Sequence, residues 1–128
     1  MRISRETDYA IRCMLHLCAN GRKVAMVDEI AQARDVPKSF LAKILQKLKR
    51  ARLVESFRGV KGGFRLARDP SGISLLDVIE AIQGDVGVNV CAVDDLACDR
   101  SAECVIHPIW KKMSSEIVAL LREHDLRT

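Results

Sequence analysis

Residues 37–67 read PKSFLAKILQKLKRARLVESFRGVKGGFRLA, and two periodicities within this stretch decide the fold. From Pro37 to about Ala51 the apolar residues Phe40, Leu41, Ile44, Leu45 and Leu48 recur at helical spacing on one face. Lys38, Ser39, Lys43, Gln46, Lys47 and Arg50 fall on the opposite face. Pro37 suits the first turn of that helix, where a missing N–H costs nothing and its φ is already helical. Then Leu53 to Arg58 alternates loosely, Gly59-Val60-Lys61-Gly62-Gly63 interrupts, and Phe64-Arg65-Leu66-Ala67 resumes the alternation. Three glycines in five residues between strand-like runs predict a β-hairpin whose tip needs positive φ and close backbone approach.

Upstream, Ala10, Cys13, Met14, Leu17 and Cys18 predict an amphipathic helix from Tyr9 to Asn20, stopped at Asn20-Gly21. Both cysteines are read there as small buried hydrophobes. A short second helix is expected over 27–34, with Ile30 and Ala31 inward, ending before Asp35-Val36-Pro37. Downstream, Ser74-Leu75-Leu76-Asp77 resembles a capping box opening a helix that buries Leu75, Leu76, Val78, Ile79 and Ile82 and stops at Gly84. Pro108 suits an early turn of a last helix, reaching about Glu123 with Ile109, Trp110, Met113, Ile117, Leu120 and Leu121 as its stripe. The expected fold class is mainly α with a small β-hairpin wing. Helix, short helix, tight turn, basic helix and hairpin follow in the order of a winged helix-turn-helix, and a long C-terminal helix follows those.

Charge agrees with that order. Residues 1–70 carry 16 Lys and Arg against 7 Asp and Glu, whereas residues 71–128 carry 5 against 10. A front half this basic suits a polyanion such as double-stranded DNA. In a winged helix the basic helix would enter the major groove, making Lys38, Ser39, Lys43 and Gln46 candidates for groove contacts. Lys47 and Lys49 are candidates for phosphate binding or plain solvation. Arg58, Lys61 and Arg65 lie on or beside the hairpin, where Arg58 could reach the minor groove.

A second constellation occupies the back half. Cys91, Cys98, Cys104 and His107 lie within 17 residues, together with Asp94, Asp95, Asp99 and Glu103, and no periodic apolar stripe runs between Val90 and Ile106. Such a stretch has the donors of a metal centre. The spacing Cys-x6-Cys-x5-Cys-x2-His is wider than the paired knuckles of a zinc ribbon and fits a larger object, an iron-sulfur cluster held by three thiolates and a nitrogen or oxygen ligand. Structural zinc on the same four residues is the alternative. So is a metal-free thiol sensor in which Cys91 pairs reversibly with Cys98 or Cys104. His107 could instead cap the helix that follows.

At 128 residues the chain is long enough for one domain with a real core. Its first residues meet charge at Glu6 and Asp8 before any sustained apolar run, so neither a signal peptide nor a membrane span is expected. A cytoplasmic, reducing location follows, in which clustered cysteines serve as ligands or redox thiols; the odd count of 5 agrees. No paired carboxylates, activated nucleophile or phosphate loop is placed for catalysis. The glycines of 59–63 lack the strand-to-helix context of a nucleotide fingerprint, and an enzyme is not expected.

With both constellations in place, the chain resembles the Rrf family of bacterial winged-helix transcriptional regulators, which includes iron-sulfur and nitric oxide sensors. The resemblance covers essentially the whole chain. It rests on Met1-Arg2-Ile3-Ser4 through Asp8-Tyr9-Ala10, on Leu53-Val54 leading into Arg58-Gly59-Val60-Lys61-Gly62-Gly63-Phe64-Arg65-Leu66-Ala67, on Ile73-Ser74-Leu75, and on the three cysteines. It implies a homodimer held by the C-terminal helix and bound to a pseudo-palindromic operator. It also implies a cluster on Cys91, Cys98 and Cys104 that senses redox state, nitric oxide or iron-sulfur status. For the fourth ligand it offers two positions: His107, which favours a 2Fe-2S cluster and is preferred, and Asp8 of the partner subunit, which favours 4Fe-4S. The Cys91 to Cys98 gap is one residue longer than the family pattern. The expected organisation is one intertwined unit: 1–84 for DNA, 85–107 for the cluster and 108–128 for dimerisation.

Overall fold

A computed structural model of the chain describes residues 2–87 and 105–127. Within them lie helices α1 (Arg5–Ala19), α2 (Val27–Arg34) and α3 (Lys38–Arg50), strands β1 (Val54–Phe57) and β2 (Gly63–Leu66), and helices α4 (Leu75–Gln83) and α5 (His107–Glu123). The architecture is the expected one, mainly helical with one antiparallel hairpin. Helices α1, α3 and α4 pack on one another, α2 packs on α1 and α3, and α5 packs on α4.

Helix α1 begins four residues earlier than the apolar spacing predicts. Ser4 caps it, its Oγ accepting from the Thr7 amide at 3.1 Å, and Glu6 and Asp8 place negative charge in the first turn. Capping chemistry therefore sets this boundary, which hydrophobic periodicity cannot see. Helix α2 ends at Asp35, whose left-handed φ of 53° lets the Val36 amide reach the Ala31 carbonyl at 3.1 Å. Pro37 then stands as the N-cap of α3, just outside the helix rather than in its first turn.

Leu41, Ile44, Leu45 and Leu48 of α3 are fully buried against Met14 and Leu17 of α1 and Val78 of α4 in a single core. Each such aliphatic side chain contributes about 1.5–3 kcal/mol on burial. Phe40 departs from the expected stripe. It is half-exposed and meets Tyr9 edge-on, with ring centroids 5.8 Å apart. One hundred degrees per residue carries Phe40 to the margin of the buried face, and the partly covered Tyr9 ring supplies its packing partner.

The hairpin pairs Val54 with Leu66 and Phe57 with Gly63. Gly59 at its tip has φ +109°, which only glycine adopts readily. Gly63 is required for a different reason: a Cβ there would strike the Ala25 carbonyl. That close approach lets Ala25 and Phe64 exchange two backbone hydrogen bonds of 2.8 and 2.9 Å, which fasten the wing to the chain before α2. Ser74 and Asp77 form the reciprocal capping box at the start of α4, with bonds of 2.9 and 3.0 Å. After α5 the chain returns to this point, where the Leu75 amide donates to the His124 carbonyl at 2.8 Å and Leu126 is buried.

Cys13 is buried as expected, but Cys18 is only half-buried and its thiol faces the Leu126 carbonyl at 3.4 Å. It is a polar contact to the returning C-terminus rather than pure packing. No helix among the described residues is long and apolar enough to cross a membrane.

Candidate functional site

Helix α3 presents Ser39, Lys43 and Gln46 outward at spacings of four and three residues, opposite the buried leucines. All three are exposed, and Lys43 has no carboxylate partner among the described residues. The geometry offers one cation, one hydroxyl and one amide along a single stripe, which is the donor and acceptor set that base edges require.

The stripe is flanked by two lysines already engaged. Lys38, at the start of α3, meets Asp28 of α2 at 2.7 Å, with both side chains about two-thirds exposed. Lys47 meets Glu6 of α1 at 2.8 Å and is half-buried. Lys38, a candidate for groove contact, and Lys47, a candidate for phosphate binding, each have an intramolecular partner that a bound polyanion would have to displace. Asp28 and Glu6 were missed, because a carboxylate on a neighbouring helix leaves no periodic signal.

On the wing, Arg58 and Lys61 are exposed at the glycine turn. Arg65 is placed differently. It lies across the ladder from Glu55, with Nε 3.1 Å from the carboxylate, and its guanidinium covers the Phe57 ring at 4.7 Å. The structure thus brings Lys38 and Arg58 to a common cleft of about 420 Å³ between the wing and the start of α2, which Lys38 of α3 joins, and leaves Arg65 outside it.

The second constellation divides at the boundary of the described residues. Cys91, Cys98 and Cys104 lie outside them, and among the described residues no three His, Cys, Asp or Glu side chains group as a metal site. His107 is the first residue of α5, with Nδ1 screened from solvent, so it is part of the helix rather than its cap. Asp8 is exposed on the first turn of α1 and bonded to Arg12 at 2.9 Å. Burial pushes the Cys13 thiol up to about 12, which keeps it protonated and separates it chemically from a ligand role.

The model of the Rrf2 family, described as an iron-dependent transcriptional regulator, matches residues 3–128. Protein aau3 of Rhizobium meliloti is 35% identical over 127 residues, covering 98% of this chain and 82% of that protein. The regulator IscR of Vibrio atlanticus is 29% identical, over 98% of this chain and 73% of its own length. Among solved structures, CymR, the global cysteine regulator of B. subtilis, superposes with a TM-score of 0.80 at 24% identity, covering 99% of this chain and 94% of that one. T. potens IscR gives 0.78 at 24% identity, over 99% and 84%. A match to the family model over nearly every residue makes this chain a member of the Rrf2 family of transcriptional regulators, which are not enzymes.

Proposed function

We propose that the chain acts as a homodimer on a pseudo-palindromic duplex operator, with an affinity set by an iron-sulfur cluster on Cys91, Cys98, Cys104 and His107. The observation that carries this is the place of the ligand-bearing segment. Residues 85–107 connect α4, which packs on α1 and α3 of the DNA-reading unit, to α5, which they enter at His107. A ligand set there would be joined along the chain to both the reading unit and the C-terminal helix. Ser39, Lys43 and Gln46 would contact base edges, and Arg58 and Lys61 the backbone beside them. Lys38, Lys47 and Arg65 would exchange their carboxylates for phosphate.

The donor set suits the group. Three thiolates and one imidazole fill the four terminal positions of a 2Fe-2S cluster, and a nitrogen ligand raises its potential. When bound, the cluster supplies chemistry that responds to oxidation, nitric oxide or iron-sulfur supply. Asp8 of the partner subunit is the alternative fourth ligand, and it would first have to leave Arg12. Support for the dimer comes from α5, whose Ile109, Met113 and Leu120 are 54%, 41% and 56% exposed in the single chain. An apolar stripe left open at that scale fits burial against a second copy.

Anaerobic purification tests the cofactor. Brown protein with visible absorption and matching iron and sulfide is expected, whereas colourless protein carrying stoichiometric zinc would overturn it. His107→Ala should lose or alter the visible signal while Asp8→Ala keeps it. Operator titrations at one salt concentration should then separate loaded from emptied protein, and equal affinities would remove the sensing role.

A further inference from the structure

Thr7 and Ser114 are the two polar side chains buried among the described residues, and Thr7 is buried completely. A hydroxyl withdrawn from water costs free energy unless it is bonded, so an apolar residue would be the simpler occupant of that position. The Thr7 hydroxyl lies 2.6 Å from Gln83 Oε1 and 2.9 Å from Ser4 Oγ. Gln83 is the last residue of α4, and its single amide holds three groups of the N-terminal segment. Its Oε1 also accepts from the Ser4 amide at 3.2 Å, and its Nε2 donates to the Arg2 carbonyl at 3.0 Å. The end of α4 is thereby latched to the start of α1.

Each side of the latch adjoins a group the function uses. Gln83 lies eight residues before Cys91, at the end of the helix from which the segment carrying Cys91, Cys98 and Cys104 departs. Thr7 stands between Glu6, which holds Lys47 of α3 at 2.8 Å, and Asp8, the alternative fourth ligand. Because Ser4, Glu6 and Thr7 share the first turn of a capped helix, a displacement at Gln83 moves the carboxylate that positions Lys47.

We infer that Gln83 and Thr7 are positioning residues that carry the state of the ligand-bearing segment to α3 through the first turn of α1. This rests on the cluster-controlled DNA binding proposed above. It assigns a physical route, two hydrogen-bonded helix ends and an ion pair, to the coupling between the two sites.

The test uses the full chain with Thr7→Val, nearly isosteric, and Gln83→Leu, at the surface. Operator affinity is measured for cluster-loaded and chelator-emptied protein at one salt concentration. A wild-type ratio in the range of about 5- to 150-fold is typical of coupled sites. Both variants are expected to bring the ratio to within about twofold of unity while loading the same iron per chain. Hydrogen exchange on emptied protein gives a second readout: both variants should speed exchange in the first turn of α1 and also around Lys47. A purely structural latch would weaken both states equally and leave the ratio intact. That result in a folded variant, or faster exchange confined to α1, overturns the inference. A wild-type ratio of one overturns cluster control itself, and the latch's role with it.

Discussion

Lys47 on α3 is bound to Glu6 on α1, Nζ to Oε1 at 2.8 Å, with side chains 37% and 31% exposed. A lysine so held enters a complex only by exchanging one anion for another. Glu6→Gln frees that cation and removes a negative charge beside the reading face. Affinity for random duplex at low salt should rise, and the plot of log affinity against log salt should steepen by about one. Stability should fall by no more than about 1 kcal/mol, since a partly solvated pair contributes little. An unchanged salt slope would place Lys47 away from the backbone.

The two wing arginines should separate in the same measurement. Arg58 is exposed at the turn with no carboxylate partner among the described residues, whereas Arg65 is engaged by Glu55 and Phe57. Arg58→Ala should weaken binding to specific and random duplexes alike and reduce the salt slope by about one. Arg65→Ala should change the slope less and instead lower stability by about 0.5–1 kcal/mol, measured by urea unfolding, through the lost cross-strand and cation–π contacts. Equal slopes in the two variants would undo this distinction.

The difference between these arginines marks where sequence stops being informative. Both lie in one glycine-rich hairpin and both are candidates for DNA contact, but only the register shows that Arg65 lies across the ladder from Glu55. The helices were legible because Leu41, Ile44, Leu45 and Leu48 repeat at 3.6 residues and the Ser74–Asp77 box is a local signal. The wing was legible from its glycines. What was not legible depends on chain segments far apart in sequence: Asp28 beside Lys38, Glu6 beside Lys47, Tyr9 beneath Phe40, Gln83 against Thr7. None of these pairings has a period. Cys91, Cys98 and Cys104 lie outside the described residues, so their part in the site stands on their spacing.

Cys13 gives a prediction in alkaline solution. Its folded-state pKa is raised from 9.0 to about 12 by burial. A raised pKa means that the unfolded chain releases the proton first, so the associated stability is complete below pH 9 and is lost as pH rises toward 12. The slope is at most about 1.4 kcal/mol per pH unit. Cys13→Ala leaves a cavity that costs about 1 kcal/mol near neutrality, but it removes this slope. Urea unfolding of both proteins at about pH 8 and about pH 10.5 should therefore show the advantage of the unsubstituted chain shrinking and then reversing as pH rises, because about 2 kcal/mol is lost over that interval. A constant gap would mean that the thiol ionises alike in both states.

The exposed stripe on α5 is the surface that the proposed dimer would cover. Ile109, Met113 and Leu120 are open in the single chain, and Ser114 is the buried residue of this helix. Charging the stripe should therefore leave the fold of one chain intact while removing what a second copy would cover. Met113→Glu with Leu120→Glu is expected to sediment as a monomer with unaltered helical circular dichroism. Two half-sites bound through one dimer gain an effective concentration that the separate halves lack, so operator affinity should fall by about 10²- to 10⁴-fold. Affinity for a single half-site should stay within about threefold, because Ser39, Lys43, Gln46 and Arg58 lie on other elements. A variant that remained dimeric would place the interface elsewhere. A monomer that kept full operator affinity would show that the palindromic arrangement is not what this chain reads.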